Sequence, residues 1–255
     1  MDANWLYLIV FSLVGGLLSL IGAVLLLGSE KVAAGLAQYA TPFAAGALLA
    51  AVFLDLLPEG IAESDGRRVL LAALLGIVFF FMLERFLDWF HHHHEHHAAA
   101  KQRPKSLIIL GDTLHNALDG VAIAAAFLID VPTGIVTAVA VAAHELPQEI
   151  GDFGLLLARG MSRGRVLMVN VLSALATLAA AMATFWLGDA DRLPADWLLG
   201  LSAGFLLYIA LSDLIPSIHQ EASKKRLMEK QTALLLLGLA AVAVVINLAG
   251  RFISE

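Results

Sequence analysis

The sequence predicts an all-α integral membrane protein with eight transmembrane helices. Composition is the first observation: of 255 residues, 60% are hydrophobic and only 15% charged. Soluble domains run nearer ~45–50% and ~25%, and the mean hydropathy of +0.83 agrees. The second is length: crossing ~30 Å of hydrocarbon takes roughly 20 helical residues, and apolar runs of that size recur along the chain. The third is charge. With no cysteine and a formal net charge of −6, a disulfide scaffold and a nucleic-acid binder are excluded.

The helices fall at about Trp5–Gly28, Gly35–Leu57, Val69–Phe90, Ser106–Leu128, Pro132–Ala158, Val166–Gly188, Ala195–Ile218 and Thr232–Gly250. Turn signals separate them, among them Gly28-Ser29, Pro58-Glu59-Gly60, Asp130-Val131-Pro132 and Arg192-Leu193-Pro194. We expect one transmembrane domain over 1–255. It comprises helices 1–3 (about 5–90), a His-rich cytoplasmic loop (91–105), helices 4–5 (about 106–158) and helices 6–8 (about 166–250). The first helix lacks a basic flank and reads as a retained span rather than a signal peptide.

Orientation follows from the basic residues, which favour the cytoplasmic side. Loops after odd-numbered helices hold Lys31, Lys101, Arg103, Lys105, Arg159, Arg163, Arg165, Lys224, Lys225, Arg226 and Lys230, eleven in all. The opposite side holds four: Arg67, Arg68, Arg192 and Arg251. Both termini are therefore expected outside.

Residues 45–58 and 203–216 match at seven of fourteen positions, at a constant offset of 158. The matches include Ala45-Gly46 with Ala203-Gly204, Asp55 with Asp213, and Pro58 with Pro216. Similar Ala/Leu-rich composition accounts for some of this, but not for Asp and Pro in one register. Helices 2 and 7 run in opposite directions, so the repeat is inverted and relates helices 1–3 to helices 6–8. Inverted repeats bring a site to the membrane midplane.

Helix 4 carries Asp112, His115, Asn116 and Asp119 at i, i+3, i+4 and i+7, on one face. Helix 5 carries His144, Glu145, Gln148, Glu149 and Asp152, again on one face. Each ionisable group near the bilayer centre costs about 2.5–3.5 kcal/mol, and no Lys or Arg lies between Ser106 and Ala158 to offset it. A bound cation, protonation or a water-filled path compensates. Imidazole with carboxylate suits zinc, with iron, manganese or cadmium as alternatives, and the lack of cysteine disfavours copper(I).

Each element also has a plainer reading. An isolated intramembrane His or Asn serves as an interhelical hydrogen bonder. Pro147 either kinks helix 5 or frees the Ala143 carbonyl within the site. Asp55 and Glu59, with Glu63 and Asp65, form either an acidic outer funnel or ordinary polar helix ends. His91, His92, His93, His94, His96 and His97 either bind metal exchangeably or make a solvated linker. Asp213 stands near the inner mouth. His219 and Glu221 extend an exit path or are plain surface.

The motifs His115-Asn116-Ala117-Leu118-Asp119-Gly120 and His144-Glu145-Leu146-Pro147-Gln148-Glu149-Ile150-Gly151-Asp152 resemble those of the ZIP family of divalent-metal transporters. The likeness is to the bacterial type, and it extends to Asn170-Val171-Leu172-Ser173-Ala174 and to the segment from Ala203 to Pro216. It implies eight helices in a 3+2+3 arrangement that import zinc into the cytoplasm through a binuclear-type site between helices 4 and 5. Carried over, His115, Asp119, His144, Glu145 and Gln148 form a primary metal site. Asn116, with Asp119, Glu145 and Gln148, forms an adjoining one. Gln148 departs from the pattern, standing where that branch has His, and a neutral amide is a weaker ligand. The resemblance further implies a homodimer. No enzyme cofactor is expected: zinc is substrate, and the partners are divalent ions and the lipid bilayer.

Two other classes compete. His144-Glu145-Leu146-Pro147-Gln148 is similar to the H-E-x-x-H of zinc metalloproteases, but the second His is absent and Pro147 interrupts the turn. A metal exporter or sensor shares the same ligands. With no Asn-x-Ser/Thr sequon and no long luminal domain, the expected location is a bacterial inner membrane.

Overall fold

The computed structural model describes residues 3–92, 105–189, 194–221 and 225–252, and every regular element among them is helical. In chain order these are α1 (Ala3–Gly28), α2 (Glu30–Ala51), a π-helical segment (Val52–Leu56), α3 (Leu57–Glu63), α4 (Gly66–His92), α5 (Lys105–Ile129), α6 (Val131–Ala158) and α7 (Arg163–Asp189). Then follow α8 (Ala195–Ile209), a second π-helical segment (Ala210–Leu214), α9 (Ile215–Glu221) and α10 (Lys225–Phe252).

The second and seventh expected helices are thus not uniform. Each widens into a π turn that begins three residues before its aspartate and ends two residues before its proline. A proline donates no N–H and its ring crowds the carbonyl four residues back. For Pro58 and Pro216 those carbonyls belong to Leu54 and Ser212, inside the widened turns. Leu57 N–H instead reaches Val52 O, and Ile215 N–H reaches Ala210 O, each five residues back. The two segments repeat the 158-residue offset.

Helix ends follow local chemistry where it is strong. Asp130 caps α6, its Oδ1 accepting the Thr133 N–H at 2.7 Å, with Pro132 in the first turn. α6 then continues through Pro147 without a break.

In a membrane the apolar residues on the outside face lipid, so close contact depends on small residues inside. The buried set is rich in alanine (Ala44, Ala45, Ala47, Ala50, Ala51, and Ala122 and Ala124–Ala126), while Phe79, Met82, Leu172, Trp186 and Leu236 are each more than half exposed. Glycines let backbones touch. A Cβ on Gly46 of α2 would lie 2.0 Å from the Leu235 carbonyl oxygen of α10, and one on Gly238 of α10 would lie 2.0 Å from Phe43 O. The α4/α8 crossing repeats this: Gly204 would meet Ala73 O at 2.0 Å and Gly76 would meet Leu201 O at 2.4 Å. Positions 43 and 46 map onto 201 and 204 at the offset of 158, and their partners 235 and 238 correspond to 73 and 76 at an offset of 162. The two crossings are therefore counterparts with their members exchanged.

Six segments are long and apolar enough to cross a membrane: Gly35–Ala62, Gly66–Phe86, Ile108–Ile129, Arg163–Gly188, Ala195–Gln220 and Met228–Ala249. The expected eight are not all in this set among the described residues. α6 carries Glu145, Glu149 and Asp152 within its apolar length, and much of α1 beyond Val14 lies outside the residues whose side chains are described.

Candidate metal centre

The centre sits where α5 and α6 lie side by side. From α5 come His115 and Asp119, one turn apart; from α6 come His144 and Glu145. All four are buried, with ligand atoms lying within 4.8 Å of one another. His115 Nε2 and His144 Nε2 are 3.1 Å apart. Asp119 Oδ2 lies 3.6 Å from the first and 3.4 Å from the second. Glu145 Oε1 lies 3.6 Å and 3.8 Å from the same two nitrogens. Bonds of ~2.0–2.2 Å to a tetrahedral zinc place its ligand atoms about 3.3–3.6 Å apart. The five nitrogen edges of this cluster, 3.1–3.8 Å, bracket that range. It is a metal-binding site made of two imidazoles and two carboxylates.

The sequence places this centre between helices 4 and 5. Counted in the structure it lies between α5 and α6, because the π turn splits the second expected helix and adds α3 to the count.

The surroundings fix the ligands. His144 Nδ1 is directed at the Ala140 carbonyl at 3.3 Å, so its N–H donates there and Nε2 presents a lone pair to the centre. Phe80 of α4 and Phe205 of α8 meet the His115 ring edge-on, at centroid distances of 6.2 and 5.5 Å, and pack on each other at 4.7 Å. None of the four carboxylate oxygens of Asp119 and Glu145 has a hydrogen-bond partner. Buried carboxylates without donors are costly, and a cation bound among them removes that cost.

The other expected residues extend from this centre in a graded way. Gln148, half-buried one turn beyond His144, has an unpartnered Oε1; Glu149 is buried with both oxygens unpartnered. Asp112 is buried and accepts from the Asn116 amide at 3.1 Å, and Asn116 Oδ1 accepts from Thr177 of α7 at 2.9 Å. Asp152 is half-buried. Gly111, Gly151 and Gly154 have open space beside them. On the other side of the centre, Ala122–Ala126, Val136, Ala140 and Val141 are at most 1% exposed, so the side toward the α5–α6 turn is closely packed and apolar, and the side toward Asp152 is polar.

Asp55 is buried within the first π segment and Glu59 half-buried in α3, whereas Asp213, the counterpart of Asp55, is exposed, as is His219 in α9. Glu221 ends α9. His91 and His92 belong to the last turn of α4 rather than to a loop. His93, His94, His96 and His97 lie outside the described residues.

Sequence reasoning passed over Phe80, Phe205, Thr177 and the Tyr208 hydroxyl, which donates to Glu84 of α4. A signal for Thr177 existed: Asn170, Ser173 and Thr177 stand at i, i+3 and i+7 on α7, a buried polar face against α5.

A multi-helix membrane fold enclosing a buried His/Asp/His/Glu centre defines a metal-ion membrane protein. The family model described as "ZIP Zinc transporter" matches residues 2–107 and 93–246; the chain belongs to that family, whose members are transporters rather than enzymes. It is 40% identical over 124 residues to "Zinc transporter ZIP10" of Danio rerio (48% of this chain, 15% of that protein). Over 118 residues it is 40% identical to "Zinc transporter ZIP6" of Homo sapiens (46% and 16%). Over 112 residues it is 43% identical to "Zinc transporter ZIP4" of Mus musculus (44% and 17%). The chain thus spans about a sixth of the length of these relatives.

These relatives are animal proteins, which overturns the bacterial-type assignment and, with it, the bacterial inner membrane. What stands is a multi-pass membrane protein. The paired motifs encode metal chemistry between two helices and carry no lineage, and neither does a missing sequon.

Proposed function

We propose that the protein moves zinc ions across the membrane into the cytoplasm through the centre between α5 and α6. The observation that carries this reading is the tetrahedron-sized set of His115, Asp119, His144 and Glu145, buried without a Lys or Arg to balance it. Gln148 serves as a further, weaker oxygen ligand of this primary site. An adjoining position draws on Asp119, Glu145, Gln148 and the second lone pair of Asn116 Oδ1, which makes the site binuclear in type.

In this reading eight helices in one transmembrane domain form a 3+2+3 inverted repeat, with both termini outside. Support comes from the paired π segments and from the exchanged glycine crossings, Gly46/Gly238 against Gly204/Gly76. Metal enters past Asp55 and Glu59 and exchanges water for the buried ligands. It leaves along the polar side lined by Asp112, Glu149 and Asp152, toward Asp213, His219 and the histidines following α4. Burial of Asp55 beside exposure of Asp213 fits an arrangement open to the inside. The working unit is a homodimer, and cadmium, iron and manganese are competing substrates.

Zinc flux in proteoliposomes of known orientation tests this directly. Inward movement, toward the side bearing Arg159, Arg163 and Arg165, is expected. Movement only in the other direction identifies an exporter, and zinc binding without flux a sensor.

A further inference from the structure

We infer that Thr177 is a positioning residue for transport, acting through Asn116 to hold Asp112 as the carboxylate that receives metal leaving the centre; this rests on the function proposed above. Thr177 is 3% exposed on α7. Its place is fixed by a close contact between α5 and α7, where a Cβ on Gly120 would lie 2.1 Å from the Thr177 carbonyl oxygen. From there its hydroxyl donates to Asn116 Oδ1 at 2.9 Å.

That bond decides which way the Asn116 amide faces. With Oδ1 turned to Thr177, the Nδ2 group donates to both the Asp112 carbonyl (3.2 Å) and Asp112 Oδ1 (3.1 Å). Asp112 stands one turn before His115 on the same face of α5, on the polar side of the centre. The relay therefore runs from Thr177 through Asn116 to a carboxylate one turn from the primary ligand His115. Without the hydroxyl, the Asn116 carbonyl loses its donor and the amide is free to turn. Its oxygen then faces Asp112, like pole to like pole, and the carboxylate loses its aim. The four primary ligands keep their own contacts, so the loss falls on release rather than on capture.

The test uses the full chain with Thr177→Val, which keeps shape and removes the hydroxyl, together with Thr177→Ser, Asn116→Ala and the Thr177→Val/Asn116→Ala double variant. Parent uptake is measured first; its absence overturns the proposed function and leaves the relay to be judged on stability alone. In the melting temperatures of the four proteins of the cycle, non-additive shifts are expected and additive ones overturn the relay. In zinc uptake per folded protein, Thr177→Val is expected to lower Vmax by about fivefold with KM nearly unchanged, a coupling of ordinary size. Thr177→Ser restores the parent rate, and the double variant is no slower than Asn116→Ala. A Thr177→Val protein with parental Vmax, a serine variant as slow as the valine one, or a purely KM effect overturns the positioning role.

Discussion

His115 Nε2 and His144 Nε2 face each other across 3.1 Å at the crossing of α5 and α6. Two neutral imidazoles at that separation share one hydrogen bond at most, and the flanking Asp119 and Glu145 oxygens accept none. Such an arrangement gains most from a cation at its centre, which satisfies both nitrogens and both carboxylates together. Around that point lie aromatic rings on the α4/α8 side, packed alanines toward the α5–α6 turn, and polar side chains in the remaining direction.

In the proposed site Gln148 offers an amide where an imidazole would bind harder. Gln148→His adds a nitrogen ligand one turn beyond His144, so zinc affinity is expected to tighten on the order of tenfold, about 1.4 kcal/mol. Competition uptake among zinc, cadmium, iron and manganese checks this, and the imidazole should favour zinc and cadmium over manganese. Unchanged affinity and selectivity would place Gln148 outside the coordination sphere.

Gly120 and Gly111 make a controlled pair on α5. Alanine at Gly120 drives a methyl against the Thr177 backbone, so we expect a loss of about 1–3 kcal/mol and a melting temperature several degrees lower. Alanine at Gly111 meets open space and should be neutral or stabilising, by up to about 1 kcal/mol. Equal shifts for the two variants would contradict the packing described.

Asp55 stands at the outer mouth in the proposed path. Asp55→Asn keeps its shape and removes its charge, so apparent KM for zinc should rise while uptake at saturating zinc stays close to parent. Kinetic measurement at two salt concentrations checks this, because attraction of ions by the mouth weakens as salt screens it. A fall in Vmax with unchanged KM would move Asp55 out of the entrance.

The chain has no cysteine, so any engineered thiol is unique. Arg67→Cys should react with an impermeant thiol reagent added outside intact cells, and Ser162→Cys only after the membrane is opened, since basic residues concentrate on the Ser162 side. The reverse pattern inverts the orientation and the proposed direction of transport.

The metal ligands were legible in the sequence because their signal is discordance. A His or Glu in an apolar helix has a cost that composition does not hide, and i, i+3, i+4 spacing puts such residues on one face. Asp55 and Asp213 were legible as repeat partners for the same reason. Their backbone was not: the π turns arise from carbonyl crowding by Pro58 and Pro216, which a hydropathy pattern does not register, and they shifted the element count by two. Thr177 escaped because a hydroxyl in a membrane helix commonly satisfies itself on its own backbone, as Thr41 and Thr113 do. Only the contact across Gly120 singles it out. Phe80 and Phe205 were invisible for the opposite reason, being apolar residues among many, made special by the ring they cover.

Zinc uptake by purified protein in liposomes, parent beside His144→Ala, tests the central claim most directly. Loss of a ligating imidazole from a closed set should cut uptake by roughly tenfold or more, in line with the cost of disturbing even the partners of metal ligands, while the variant remains folded and helical. Uptake by His144→Ala equal to the parent would mean that zinc does not pass through the centre between α5 and α6.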